Sequence, residues 1–156
     1  MNRVVAYIIG CVWLLTACRT EIPQEAKPGE VDLFPDYREV TIPVNIAPLN
    51  FRLPDEQMQG ITQLKTKNEE ILVEAKGGVF NIPMKAWKEL LQKASGESID
   101  VSVYFKDKAS DWKIKEFPIY VSPDSVDGYL TYRRIFPGYR MWQEMGIYQR
   151  SVENFV

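Results

Sequence analysis

Ile99, Val101, Val103 and Phe105 alternate with Asp100, Ser102, Tyr104 and Lys106. Such a strict period of two puts the apolar side chains on one face of a strand and the polar ones on the other. A chain carrying that run must build a sheet with one buried face and one wet face. Shorter runs repeat the pattern. Val40, Ile42, Val44 and Ile46 alternate with Thr41, Pro43 and Asn45, and Pro43 and Pro48 predict an edge strand that bends near Ala47-Pro48. Leu49, Phe51 and Leu53 form another short strand, and residues 61–66 a weaker candidate. Around Lys76-Gly77-Gly78-Val79 the sequence predicts a hairpin joining Ile71–Ala75 to Phe80–Ile82, because paired glycines supply the positive φ angles of a tight turn.

One helix interrupts the strands. Between Pro83 and Gly96, Met84, Trp87, Leu90, Leu91 and Ala94 fall on one helical face, with Lys85, Lys88, Glu89, Gln92 and Lys93 largely elsewhere. Trp87 is expected in the core. After a polar connection at 107–111, Trp112 and Ile114 sit on one parity and Phe117, Ile119 and Val121 on the other, which predicts a bulge near Glu116. Ser122-Pro123-Asp124 reads as a turn, and Tyr129 to Phe136 as the last strand of the body. The expected fold is therefore mainly β: an immunoglobulin- or fibronectin-like antiparallel sandwich over residues 37–138, with one inserted α-helix.

The N-terminus has a different character. Arg3 precedes an apolar run from Val4 to Leu15 that is too short for a lasting membrane span, and the run ends in Leu15-Thr16-Ala17-Cys18. Those four residues resemble the bacterial lipobox. The expectation is that residues 1–17 are a signal peptide and that Cys18 is the lipid-attachment residue. Two or three acyl chains hold a protein on a membrane where one would not. Residues 18–36, with Pro23, Pro28 and Gly29 and no apolar period, read as a tether reaching up to about 60 Å when extended.

These assignments narrow the chemistry. The chain has two cysteines and no histidine. Cys11 leaves with the signal and Cys18 is committed to lipid, so no disulfide, Cys/His zinc site, Ser-His-Asp triad, cysteine nucleophile or haem attachment is expected, and no metal or cofactor. Loss of Arg3 leaves 18 basic and 21 acidic residues, a balance that gives no support to a nucleic-acid partner. An enzymatic reading would need paired acids such as Asp124 and Asp127, but both stand in a turn-like run, and no catalytic residue is assigned.

The C-terminal stretch is aromatic and basic. Tyr129, Tyr132, Phe136, Tyr139, Trp142, Tyr148 and Phe155 are interleaved with Arg133, Arg134, Arg140 and Arg150. Trp142, Met145, Tyr148, Val152 and Phe155 recur at roughly helical spacing, broken by Gly146, so residues 139–156 are expected to form a partly helical docking or linker segment. The candidate interaction surface is Tyr132, Arg133, Arg134, Tyr139, Trp142 and Tyr148.

Gly77-Gly78-Val79-Phe80-Asn81-Ile82-Pro83-Met84 with Trp87-Lys88-Glu89-Leu90-Leu91, then Tyr129-Leu130-Thr131-Tyr132-Arg133, Pro137-Gly138-Tyr139 and Met145-Gly146-Ile147-Tyr148-Gln149-Arg150, resemble a region of large Bacteroidetes lipoproteins described as TolB-like or cytochrome-c-biogenesis-like. The resemblance covers nearly the whole mature chain and implies an N-terminal module, stand-alone or truncated. In that family a C-x-x-C-H segment and WD40-like propeller repeats follow. Neither occurs here, so no haem or propeller function is implied.

The expected function is a non-enzymatic, lipid-anchored cell-envelope interaction module, most simply on the outer membrane. Its expected partners are the membrane through the Cys18 lipid and a protein or domain. The alternative is a carbohydrate-binding envelope lipoprotein that uses the Tyr/Trp/Arg-rich C-terminal segment to take a glycan.

Overall fold

The computed structural model describes residues 20–108, 110–134 and 146–155. In chain order the strands are β1 (Lys27–Pro28), β2 (Thr41–Pro43), β3 (Phe51–Arg52), β4 (Gln59–Lys65), β5 (Glu70–Glu74) and β6 (Val79–Phe80). Helix α1 (Met84–Lys93) follows, then β7 (Ser98–Lys106), β8 (Lys113–Ser122), β9 (Tyr129–Arg134) and β10 (Gly146–Ser151). The mainly β expectation holds.

The period-two run becomes β7, at the centre of a six-stranded sheet in the order β1-β8-β7-β4-β5, with β2 also on β8. Ile99, Val101, Val103 and Phe105 are all buried. β4, β5, β7 and β8 pair antiparallel. β1 and β2 join β8 in parallel, β1 against Lys113 and Ile114 and β2 against Tyr120 to Ser122. The sheet is thus mixed. Across its inner face, the described residues place helix α1 and the small β3–β6 pair in the same core cluster, rather than a second large sheet.

Helix α1 forms where its apolar face was expected. Trp87, Leu90 and Leu91 are buried, and Ala94 closes the same side. The Trp87 indole is fully enclosed and donates through Nε1 to the carbonyl of Ile46 at 3.0 Å, so its one polar atom is satisfied. Phe51 and Phe80 meet in the same core with centroids 4.7 Å apart.

Three expectations about the body are corrected. The Lys76–Val79 turn forms, with φ of 57° at Gly77 and 74° at Gly78 and N–H···O bonds both ways between Lys76 and Val79. Its arms then part, however: β5 pairs with β4, and β6 with β3. The bulge near Glu116 is absent, because β8 runs against β7 in unbroken register from Lys113 to Tyr120. What disturbs the apolar pattern is Lys115, which occupies an inward position and is 9% exposed. Its stem lies in the core, while its amine donates to the Val31 carbonyl at 3.2 Å and pairs with Glu30.

The third correction concerns the tether. From Lys27 onward it is docked. Lys27 N–H donates to the Trp112 carbonyl and Gly29 N–H to that of Ile114, each at 3.0 Å, and Val31 and Leu33 are buried in the core. Two inward residues and a parallel partner some 85 positions away leave little local signature, so the segment read as a linker.

Candidate functional site: the β9–β10 ribbon

β8 ends at Ser122, and the chain turns away from the sheet. Ser122 Oγ accepts from the Asp124 N–H at 3.2 Å, and Asp127 Oδ1 accepts from the Tyr129 N–H at 3.3 Å, a side-chain turn that starts β9. Asp124 and Asp127 are both exposed rather than set in a cleft.

β9 then pairs antiparallel with β10, Tyr129 opposite Ser151 and Arg134 opposite Gly146. The helical reading of the C-terminal segment is therefore corrected over residues 146–151, which form a strand. The boundary expected at 138/139 falls between two strands of one ribbon. The spacing of Met145, Tyr148 and Val152 suggested a helix, but pairing with β9 overrides it. In the strand, Gly146 has a definite use: a Cβ there would lie 2.9 Å from the Tyr148 ring, which folds back over the glycine.

The ribbon is tied to the body at its base. Asn45 donates through Nδ2 to the Val126 carbonyl at 2.9 Å and to Glu153 Oε1 at 2.8 Å, and its Oδ1 accepts from the Val126 N–H at 3.0 Å. Beside it, Ala47 N–H donates to the Val152 carbonyl at 2.7 Å, and Val152 N–H to that of Gly128 at 3.0 Å. One asparagine side chain thus joins both ends of the ribbon to the loop that follows β2.

Beyond this clamp both faces meet solvent. All six residues of β9 are exposed, among them Tyr129, Leu130 and Tyr132, and Ile147 of β10 is 79% exposed. Tyr132 and Tyr148 face each other across the strands and stack, centroids 5.8 Å apart and planes 22° apart. Strand alternation puts Leu130, Arg134 and Arg150 on their face and Tyr129, Arg133 and Ile147 on the other. The two strands hold three arginines and no acidic residue.

Of the residues expected to form the interaction surface, the structure unites Tyr132, Tyr148 and Arg134 on one face and puts Arg133 on the reverse. Tyr139, Trp142 and the lipid-attachment candidate Cys18 lie outside the described residues. Leu130 and Ile147 join the surface, as does the clamp of Asn45 and Glu153. Asn45 fits the polar side of the alternation with Val44 and Ile46, so no local signal marks it as the clamp. Comparison with protein-family models, with curated proteins and with solved structures found no match to this chain.

Proposed function

We propose that the protein is a non-enzymatic, lipid-anchored module of the bacterial cell envelope that offers the β9–β10 ribbon to another protein or domain. The observation that carries this reading is the exposure of Tyr129, Leu130, Tyr132, Ile147 and Tyr148 on a ribbon clamped to the body at its base. A two-stranded ribbon is marginal by itself in water, and contiguous exposed apolar surface favours association. The lipobox-like Leu15-Thr16-Ala17-Cys18 supports an anchor on the envelope, and the outer membrane is the simplest site. The resemblance to the N-terminal module of TolB-like Bacteroidetes lipoproteins supports a role beside a further domain or protein.

The alternative is a glycan-binding lipoprotein. The stacked Tyr132–Tyr148 pair, with Arg134 and Arg150 on the same face, favours it as a platform for a sugar ring. Two measurements test these readings. Metabolic labelling with an alkyne fatty acid should tag the wild type and not Cys18→Ser; equal labelling would refute the anchor. A photo-crosslinking residue at Ile147 should give a discrete protein adduct in cells, lost in Tyr132→Ala/Tyr148→Ala. If the adduct is absent and affinity electrophoresis shows retardation by a polysaccharide that the same double change abolishes, the glycan reading replaces the protein one.

A further inference from the structure

The docked N-terminal segment shortens the link to a lipid. From Lys27 to Leu33 the chain is hydrogen-bonded along β8 or buried, as described above. Upstream, Ile22 and Pro23 are half-buried, and Glu21 to Gln24 wall an open cleft of about 660 Å³ whose other side is Leu72 and Trp112, on the outer face of the sheet. Four residue steps separate Cys18 from Ile22, a reach of at most about 14 Å. A tether free as far as Asp36 would reach about 60 Å.

We infer that this strap holds the protein against the bilayer by the outer sheet face at the β7–β8 turn, with Trp112 at headgroup level, and so aims the β9–β10 ribbon away from the membrane. The inference rests on acylation of Cys18 and deepens the reading above. Trp112 suits such a surface: its indole is half-buried, with the Lys106 amine 4.7 Å from the ring centroid, and Trp favours the membrane–water interface. Charge at this end is mixed. Lys27 pairs with Asp111 at 3.3 Å, and Glu25 and Lys106 line one cleft with them and Trp112. The short link, rather than attraction to anionic lipid, therefore sets the contact. β1 lies at the Lys113 end of β8, whereas the ribbon departs after Ser122 at the other end, about 30 Å along the strand.

The experiment uses the full-length protein, matured in a bacterium and reconstituted into phosphatidylethanolamine–phosphatidylglycerol vesicles that carry a headgroup nitroxide. Trp142→Phe leaves Trp112 as the reporter above the enclosed Trp87. Trp112→Phe/Trp142→Phe/Tyr148→Trp moves the reporter to the ribbon. The first protein should lose much of its reporter emission and the second should keep its own. A long Gly-Ser insertion between Thr20 and Glu21 should relieve the quenching at Trp112 by letting the domain float. Equal quenching at 112 and 148, no quenching at 112, or indifference to the insertion each overturns the inferred orientation. Mass spectrometry of the same preparation separates the two failures: an unacylated mass overturns the anchor itself, whereas an acylated protein with an unquenched Trp112 overturns only the orientation.

Discussion

The main sheet and the β9–β10 ribbon draw on the same β-forming residues, yet they settle them differently. In β7 every second side chain is buried in the core, and the strand has a neighbour on each edge. In β9 all six side chains are exposed and, among the described residues, one edge is paired. The sheet obtains its stability from burial within the chain, at roughly 25 cal/mol per Å² of apolar surface. The ribbon leaves large apolar side chains in water and is clamped by hydrogen bonds at its base. The contrast teaches that one part of the molecule is finished, whereas the other leaves its apolar side chains exposed.

The largest expected effect is on the strap, which belongs to the finished part. A chain beginning at Asp36 loses Val31 and Leu33 from the core, exposes the β8 edge and leaves Lys115 buried without Glu30 or the Val31 carbonyl. Burial of each apolar side chain contributes about 1.5–3 kcal/mol, and an unpaired buried charge is strongly destabilising. Cooperative thermal melting should be lost or fall steeply. Unchanged melting would return the strap to the status of a tether. Lys115→Met should stay folded, because an apolar replacement needs no partner.

Next comes Trp87→Ala, expected to lower stability by about 3–5 kcal/mol by denaturant unfolding. Lys88→Ala, on the exposed side of α1, should leave it nearly unchanged. Equal effects would mean that the helix does not seal the core. Asn45→Ala should be milder, about 1–3 kcal/mol, since it removes the hydrogen bonds of the clamp rather than core surface. Amide exchange should quicken in β9 and β10 and stay as it was in β7. Quickening in both would dissolve the distinction between the two regions.

The smallest effect is in acid. Lys115 beside Glu30 holds its carboxyl below the ordinary 4.5, and Arg38, bonded to Asp36 at 2.5 Å, holds that carboxyl at about 2. Both pKa values are depressed by folding. Their contributions are therefore complete above the usual carboxylate range and are lost as pH falls, below 4.5 for Glu30 and towards 2 for Asp36. Both groups are exposed, so the change is small. Glu30→Gln should melt slightly below the wild type at pH 7, and the gap should close below pH 4.5. A gap that widens in acid would contradict the pairing with Lys115.

Much of the finished region could be read from the residues. β7 follows from its alternation, α1 from the spacing of Trp87, Leu90 and Leu91, and the turn at Gly77-Gly78 from the need for positive φ. The failures have physical causes. Lys115 mimics a bulge because an inward lysine can bury its stem and carry its charge to a partner at the rim. β1 and β2 depend on parallel neighbours far along the chain. The ribbon was half legible. Its aromatic and basic content was plain, but the spacing of Met145, Tyr148 and Val152 suits a helix as well as it accompanies a strand, and only pairing with β9 decides. The clamp at Asn45 joins positions 81 and 108 residues apart, beyond any local pattern.

The exposed ribbon differs from the sheet in how it is held, and site-resolved amide hydrogen exchange of the full-length protein tests that difference most directly. Local opening free energies range from near zero in weakly packed segments to the global value in core strands. Amides of Gly146–Ser151 should exchange by local opening, orders of magnitude faster than those of Ile99–Phe105, which should open only on global unfolding. Protection of Gly146–Ser151 equal to that of Ile99–Phe105 would show that the ribbon belongs to the core and would remove the basis for an interaction surface there.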